Sequence, residues 1–450
     1  MPTTDPNADA LSARGRAFVD APLRADFDLF HEAEADAYHP EDNPDGAIAL
    51  CIAENALAWP DMRDRLRRAS FAEPPAWVGS YTDVRGAPEL REALADFVGE
   101  HITTVGGHEA LALDPEGFCV SSGATAVVEL TSMLLGDPGD VAAFPAPCYP
   151  VYAKDVGHKA HLDRYDVACS AGWAEADGPH PLRTADLDRA LAEVNASGRR
   201  LRMLVLTQPD NPTGAVYSPA QLEACADWCE THAVHLCVNE LYVLSRVDTD
   251  HPSIVEDYAD LLPRYRSFLH LVERRRSPYL HWWYSFSKDF GISGLRTGAL
   301  YTRNADLVRA FANLGAPHTV SNYTQWQLSS VLLDRQWVSA FAKRTQGSLT
   351  RSYVLVVDAL RRAGVPYVPA RGSLFSWMNL REHPLYEGDD ERFWRCLYEE
   401  RGVLLTHPGG FGHDEPGWFR LVYACVERGE LREALRRVFP TSSAPARYSR

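Results

Sequence analysis

The sequence has little positive charge for its size: 45 Lys and Arg stand against 61 Asp and Glu in 450 residues, a formal net charge of −16. Nucleic-acid surfaces and anionic membranes attract clustered basic residues, so we expect neither partner. The chain also lacks an apolar run long enough to span a bilayer, and its opening residues, MPTTDPNADALSARG, lack a basic-then-apolar leader. These absences predict a cytoplasmic protein.

Cysteine is also sparse, with nine residues scattered along the chain. An odd, scattered set indicates reduced thiols rather than a disulfide framework. Cys225 and Cys229 lie one helical turn apart in QLEACADWCE, but no second pair of ligands accompanies them. We therefore interpret this pair as helix packing and expect no metal site.

Short β-rich runs alternate with amphipathic stretches from about Val78 to Arg303. The predicted strands are FCVSS, DVAAFPAP, MLVLTQP, HLCVNE, WWYSFS and TGALYT, and the predicted helices are ATAVVELTSMLLG, PAQLEACADWCETH and NADLVRAFANLG. This alternation predicts an α/β fold, with a mostly parallel sheet between two layers of helices. In such sheets ligands bind at the carboxyl ends of the strands.

The remaining sequence predicts a second, smaller α+β domain. We expect residues 1–75 to contribute to it, residues 76–320 to form the large domain, residues 321–440 to complete the small domain, and residues 441–450 to be a disordered tail. The predicted strands of the small domain are VPYVPA, SLFSWMNL, GVLLTHP and FRLVYACV, and its predicted helices are at 391–400 and 428–438.

One lysine stands out in WWYSFSKDFGISGLRTG, residues 282–298. Lys288 follows a buried strand, where desolvation can leave its amine neutral and nucleophilic toward a carbonyl. Ser285, Ser287 and Arg296 offer hydroxyls and a guanidinium to a phosphate. An aldehyde that carries a phosphate and is held by lysine describes pyridoxal phosphate. Taken alone, the motif equally fits a capping serine followed by surface Lys and Arg.

A second phosphate-binding element lies upstream in SSGATAVVEL, where Ser122 and Gly123 connect a predicted strand to a predicted helix. The backbone N–H groups of Ala124 and Thr125 would open that helix. Free N–H groups and the helix dipole bind phosphate at such a position.

The segment SFSKDFGISGLRTG resembles the lysine segment of class I and II aminotransferases, which are fold-type I enzymes that use pyridoxal phosphate. Further segments resemble the family in the same order, from about Ile48 to Phe439. The resemblance implies a general-base role for Lys288 and the following contacts: Asn211 in LTQPDNPTG and Tyr242 in NELY with the phenolic oxygen of the cofactor, Tyr149 in PAPCYP stacked on its ring, and Arg420 in EPGWFRLVYA with the substrate α-carboxylate. Considered singly, the two tyrosines could be packing aromatics, and Asn211 could merely shape a turn before a proline.

Tyr81 in SYTDVRGAPELR has a different implied role. By the resemblance it reaches the cofactor phosphate of a neighbouring subunit. This implies a homodimer with shared active sites.

Asn239 departs from the family pattern, which has aspartate three residues before the Tyr242 position. Aspartate keeps the ring nitrogen protonated, whereas a neutral amide imposes no charge. The neighbouring Glu240 is a poor substitute, because adjacent strand residues point to opposite faces. The departure favours a reaction in which loss of the Cα proton is coupled to loss of a leaving group. Alternatively, Asn239 orients the ring well enough for slow transamination.

Several segments resemble aminocyclopropane-carboxylate synthase, which acts on S-adenosylmethionine. They are GAIALCIAENAL, YSFSKDFGISGLRTG, RGSLFSWMNLR and EPGWFRLVYA. The first contains Glu54, a carboxylate suited to a sulfonium substrate, although it could equally be a structural acid at a helix N-terminus. The stretch TDVRG, with Val84 and Arg85, departs from the aspartate-tyrosine pair of the plant enzymes.

Bacterial relatives of that synthase act in antibiotic pathways, and the Ala-, Arg-, Asp- and Gly-rich composition is typical of a GC-rich bacterial gene. The resemblance therefore favours γ-elimination or γ-replacement on S-adenosylmethionine in specialised metabolism, including carbon–carbon bond-forming annulation with a second small molecule. The alternatives are an amino-acid aminotransferase and aminocyclopropane-carboxylate synthase proper. The segment 258–278 resembles an insertion, and its cluster Arg274–Arg276 is either a solvated helix face or a contact for an anionic second substrate.

Overall fold

The computed structural model describes residues 10–19, 21–69, 72–169, 180–258 and 265–440. The predicted tail, 441–450, lies outside the described residues, as do parts of the segments 1–75 and 258–278.

The strands of the described residues are β1 (Ile48–Leu50), β2 (Phe118–Ser121), β3 (Val141–Pro145), β4 (Asp163–Val167), β5 (Leu201–Thr207), β6 (His235–Asn239), β7 (Leu280–Ser285), β8 (Gly298–Thr302), β9 (Tyr367–Val368), β10 (Phe375–Asn379), β11 (Val403–Leu405) and β12 (Trp418–Val422). The α-helices are α1 (Ala13–Ala17), α2 (Phe27–Ala35), α3 (Trp59–Ala69), α4 (Pro88–Phe97), α5 (Ala124–Leu135), α6 (Tyr152–Gly157), α7 (Thr184–Ala196), α8 (Pro219–Thr231), α9 (Leu269–Arg275), α10 (Phe286–Asp289), α11 (Ala305–Leu314), α12 (Asn322–Leu332), α13 (Arg335–Ala363), α14 (Asp390–Arg401) and α15 (Arg428–Val438).

Seven strands form one large sheet in the order β2-β8-β7-β6-β5-β3-β4. All neighbouring pairs are parallel except those of β8, which runs antiparallel to both β2 and β7. This confirms the predicted α/β fold with its mostly parallel sheet. The six strands predicted from apolar runs are present, and β3 and β7 are buried along their whole length. Strands covered on both faces have such continuous apolar sequences.

The sequence pattern missed β4, the edge strand DRYDV. Its only fully buried residue is Val167, so its sequence lacks the apolar run that marks the central strands. Helix α8 places Cys225 and Cys229 in the hydrophobic core, as the packing interpretation expected.

The smaller part contains the antiparallel sheet β12-β10-β9 and the parallel pair β1-β11. The pair joins Ile48–Leu50 of the N-terminal segment to Val403–Leu405 near the C-terminus. The hydrophobic core of this smaller part includes residues of β10, β12 and the helices α13, α14 and α15. The proposed domain boundaries after residues 75 and 320 remain a prediction. No helix among the described residues is long and apolar enough to cross a membrane.

Candidate active site

Loops at the carboxyl ends of β2, β3, β5, β6 and β7 surround a cavity of about 230 Å³, closed on its other side by residues 52–54 and by β12. This is the position at which parallel sheets bind ligands. Eleven of the residues singled out in the sequence line it: Glu54, Ala124, Thr125, Tyr149, Asn211, Asn239, Tyr242, Ser287, Lys288, Arg296 and Arg420.

Lys288 is fixed in the short helix α10, directly after β7. Its Nζ donates a hydrogen bond to the carbonyl oxygen of Ala53 at 2.6 Å. The next residue, Asp289, accepts hydrogen bonds from the backbone of Leu244 at 3.0 Å and of Ser245 at 2.8 Å. These bonds lock the helix to the loop after β6, so the amine is held at the cavity wall.

The environment of Lys288 favours the neutral amine. Burial lowers its pKa from 10.5 to about 8, opposed by the carboxylate of Glu54 and reinforced by Arg420, Arg24 and Arg296. A lysine with a lowered pKa holds more of its amine in the nucleophilic form at neutral pH.

The N-terminus of α5 provides an anion site beside this amine. Gly123 precedes the helix with φ of 95°, and no side chain caps the first N–H groups. A Cβ atom at Gly123 would lie 2.5 Å from Nη2 of Arg296, so glycine is required for the guanidinium to cross this turn. Arg296 is fixed by a hydrogen bond to the carbonyl oxygen of Ser293 at 2.8 Å. The site therefore combines backbone N–H groups with a positive charge.

Arg420 lies in β12 and is only 2% exposed. It donates to Thr406 Oγ1 at 3.1 Å, to Asn211 Oδ1 at 2.8 Å and to the carbonyl oxygen of Cys51 at 3.3 Å. Among the described residues no carboxylate forms an ion pair with it, and burial lowers its pKa from 12.5 to about 10. A buried guanidinium without a counter-charge is costly, so this position is suited to an anionic ligand.

Asn239 ends β6 and faces the same cavity. Its Nδ2 donates to the hydroxyl of Tyr152 at 3.0 Å, and that hydroxyl lies 2.9 Å from Thr207 Oγ1. Its Oδ1 is buried and has no hydrogen-bond partner among the described residues. Such an atom costs free energy unless a ligand donates to it.

Glu240 points away from the cavity, as the alternation of strand side chains predicted. It accepts hydrogen bonds from Ser267 Oγ at 2.6 Å and from Trp282 Nε1 at 2.7 Å. Its carboxylate therefore anchors the segment before α9 and leaves Asn239 alone at the cavity.

Residues 50–438 match the family model described as aminotransferase class I and II. The chain belongs to that family. The family's enzymes depend on pyridoxal phosphate, so this chain is a pyridoxal-phosphate-dependent enzyme of the aminotransferase class I and II family.

Two curated relatives and one solved structure illustrate the similarity. The chain is 29% identical over 418 residues to the probable inactive 1-aminocyclopropane-1-carboxylate synthase-like protein 2 of Mus musculus, covering 92% of this chain and 69% of that one. It is 27% identical over 423 residues to 1-aminocyclopropane-1-carboxylate synthase 1 of Prunus mume, covering 92% and 82%. An aspartate aminotransferase double mutant from Thermus thermophilus superposes with a TM-score of 0.73 at 23% identity, covering 95% and 98%, which supports the fold.

The residues of this family member fit the cofactor. Lys288 offers an amine to its aldehyde, and the N-terminus of α5 with Arg296 offers positive charge to its phosphate. Asn239 offers a neutral amide at the cavity, with a buried Oδ1 that has no partner among the described residues. Asn211 accepts from Arg420 through its oxygen, so it can offer only its amide nitrogen, which also contacts Tyr242, to the cofactor's phenolic oxygen.

Two residues predicted to bind the cofactor lie outside the cavity. Ser285 is fully buried, caps α10 by accepting from Ser287 N at 3.2 Å, and donates to Ser287 Oγ at 2.9 Å. It contacts Ser287 from the side away from the cavity, and its predicted contact with the phosphate remains a prediction. Tyr81 is completely exposed and lies away from the cavity of its own chain. Its predicted role across a dimer remains a prediction.

The structure adds five polar residues to those that the sequence indicated: Arg24, Tyr152, Asp155, Thr207 and Ser293. Tyr152 lies one helical turn after Tyr149 in PAPCYPVYAKD, a spacing that could have indicated it. Burial raises the pKa of Asp155 to about 7, with the nearby Glu129 acting in the same direction. Arg24 belongs to no recognisable motif.

The cluster Arg274–Arg276 does not line the cavity. Arg275 pairs with Glu223 and with Asp227 and Glu230, both at 2.7 Å, and Arg274 also pairs with Glu223. The structure therefore favours a helix face paired with α8 over a contact for a second substrate.

The lowered pKa of Lys288 predicts the pH dependence of cofactor capture by the cofactor-free protein. Only the neutral amine attacks an aldehyde, so the rate should rise with pH through about 8 and then level off. Glu54→Gln should move this midpoint to lower pH, because the Glu54 carboxylate stabilises the ammonium form. Rapid mixing with pyridoxal phosphate, followed by absorbance, measures both midpoints. Glu89→Gln, at an exposed position in α4, is the matched control; an equal shift in that variant would contradict the assignment to Glu54.

Proposed function

We propose that this enzyme acts on S-adenosylmethionine in specialised metabolism and expels methylthioadenosine by γ-elimination or γ-replacement, including carbon–carbon bond-forming annulation with a second small molecule. The observation that carries this proposal is the charge arrangement of one cavity. A buried Arg420 without a carboxylate partner faces the same space as Glu54, which has no ion-pair partner among the described residues. The Arg420 guanidinium suits the α-carboxylate of an amino acid, and the Glu54 carboxylate suits a sulfonium.

In this proposal Arg420 holds the substrate carboxylate, and Lys288 removes the Cα proton as the general base. The cofactor supplies an aldehyde for the substrate amine and a ring that accepts electron density from Cα. Tyr149 and Tyr242 lie at the cavity wall to pack against and hydrogen-bond the ring. Ser287, Arg296 and the first N–H groups of α5 hold the phosphate. As the Cγ–S bond breaks, its electron pair passes to sulfur and methylthioadenosine leaves neutral.

Asn239 supports a reaction with a leaving group over simple transamination. Within the part of the chain that the structure describes, the hydroxyl of Tyr152 is the only hydrogen-bond partner of its side-chain amide, and Glu240 is turned away. Without a carboxylate at the ring nitrogen, negative charge at Cα is stabilised less. A sulfonium leaving group can remove that charge from the substrate as it departs.

The similarity to proteins named as 1-aminocyclopropane-1-carboxylate synthases supports S-adenosylmethionine as the substrate. We further propose a cytoplasmic homodimer in which Tyr81 enters the partner's active site, which its complete exposure favours. The second candidate is an amino-acid aminotransferase, favoured by Val84 and Arg85 in place of the plant synthase pair.

A substrate screen on the purified protein distinguishes these candidates. S-adenosylmethionine and common amino acids are added separately, while the absorption of the cofactor and the masses of the products are followed together. Methylthioadenosine release with the cofactor still in its aldehyde form supports the proposal. Conversion of the cofactor to its amine form by an ordinary amino acid, without methylthioadenosine, contradicts it and identifies an aminotransferase.

Asn239→Asp should speed conversion of the cofactor to its amine form by about tenfold or more, because a carboxylate favours the protonated ring nitrogen. Stopped-flow absorbance with a common amino acid measures the rate. Tyr152→Phe removes the hydrogen-bond partner of Asn239 without adding charge, and should change the rate much less. An unchanged or slower rate in Asn239→Asp would contradict the view that the missing carboxylate at the ring nitrogen limits transamination.

A further inference from the structure

A short N-terminal segment, residues 21–26, passes over the cavity before α2 begins; we name it the N-terminal strap. Lys154 in α6 donates to the carbonyl oxygen of Leu23 at 2.9 Å and also to that of Pro22. Just before the strap, the ring of Phe18 meets that of His158 edge-on at 4.9 Å. The strap is therefore attached to the helix that follows the ring-packing residue Tyr149.

The strap brings a third guanidinium to the cavity, in addition to those of Arg296 and Arg420. Arg24 pairs with Asp26 through both ends of its fork, with Nε donating to Oδ1 at 2.9 Å. Its Nη2 also donates to the carbonyl oxygen of Cys51 at 3.2 Å. Asp26 is 1% exposed, so this bidentate pair holds Arg24 in a fixed orientation.

Arg24 and Arg420 converge on a single acceptor. The carbonyl oxygen of Cys51 that Arg24 contacts also accepts from Arg420 Nη2 at 3.3 Å. The two Nη2 nitrogens are therefore no farther apart than the sum of these two distances, a gap that one carboxylate can bridge. Two cations so placed repel each other, and Arg24 contributes to the lowered pKa of Arg420. Asp26 pairs with Arg24 and also favours the charged form of Arg420, so its single negative charge offsets only part of these two positive charges.

We propose that Arg24 is a second carboxylate-binding residue, so that the substrate's α-carboxylate is held by two guanidiniums from opposite ends of the chain. This inference rests on the proposed role of Arg420. Arg24 lines the cavity, and its bonds to Asp26 and Cys51 use only Nε and Nη2. The two N–H groups of Nη1 have no acceptor among the described residues, and a carboxylate has lone pairs for both guanidiniums.

A carboxylate–carboxamide comparison tests this role on the cofactor-loaded enzyme. L-Methionine and L-methioninamide are titrated separately, and the change in cofactor absorption gives each dissociation constant. The wild type should prefer methionine, and Arg24→Gln should reduce that preference by about tenfold or more, the usual effect of losing hydrogen bonds to a charged group. Arg24→Lys should restore part of it, since the charge returns without the fork.

Arg14→Gln is the matched control, because it removes an exposed arginine from the nearby helix α1 and leaves the strap and the cavity unchanged. It should keep the wild-type preference. An equal loss in Arg14→Gln and Arg24→Gln would show a general effect of removing positive charge, with no specific role for Arg24, and would overturn the inference. An unchanged preference in Arg24→Gln would also overturn it, with the role of Arg420 left standing. A wild type that binds methionine no better than methioninamide would instead overturn the role of Arg420, and this inference with it.

Discussion

Replacing Lys288 by alanine should abolish covalent attachment of the cofactor and lower kcat by about 10²–10⁴-fold or more, the contribution of a positioned general base. The amine is held by Ala53 at the cavity wall, and no other lysine of the described ranges lines that cavity. Borohydride reduction of the cofactor-loaded protein, followed by peptide mass spectrometry, locates the attachment, and steady-state turnover measures the loss.

Lys159→Ala is a suitable control for this experiment, because Lys159 is an exposed lysine that pairs with Glu129 at 2.8 Å and does not line the cavity. It should retain cofactor attachment at Lys288 and most of the activity. A Lys288→Ala protein that still carries reduced cofactor on another lysine, and still turns over, would contradict the assignment.

Arg420→Lys should lower kcat/KM for the substrate by about 10²-fold, because the truncation of one partner in a buried charge pair costs about 2–5 kcal/mol. Lysine keeps the positive charge but loses the planar fork that binds a carboxylate through two parallel hydrogen bonds. The loss should be smaller for a carboxamide analogue, which lacks the negative charge. Steady-state kinetics with both compounds gives the comparison.

Thr406→Val provides the control, since Thr406 accepts from Nε of Arg420 and leaves the two Nη groups untouched. Its effect on kcat/KM should be much smaller than that of Arg420→Lys. Thermal unfolding of both variants shows whether the buried site remains folded. Equal kcat/KM values for Arg420→Lys and the wild type would contradict the carboxylate-binding role.

The central sheet was predictable from sequence because its strands are buried on both faces. An apolar run such as LHWWYS indicates a buried strand directly. The edge strand DRYDV instead has a polar sequence that is also typical of a loop. The lysine and the family's segments could also be read directly, since each lies in a local motif. The sheet topology then brings these motifs to one edge.

The charges and hydrogen bonds between distant segments could not be read in this way. Arg24 reaches the site only because the strap binds α6, and Asn239 loses its amide donor to Tyr152 only because β6 lies beside the start of that helix. Ser285 resembled a phosphate ligand in sequence, yet its position under Ser287 depends on how α10 begins. Pairings across long stretches of chain are fixed by tertiary packing, which no local pattern encodes.

The most direct test of the proposed function is the release of methylthioadenosine from S-adenosylmethionine, measured by mass spectrometry with the wild type and with Lys288→Ala in parallel. We expect repeated release by the wild type, with the cofactor remaining in its aldehyde form, and release at least about 10²-fold slower by the variant. A wild type that releases no methylthioadenosine, but converts its cofactor to the amine form with an ordinary amino acid, would contradict it.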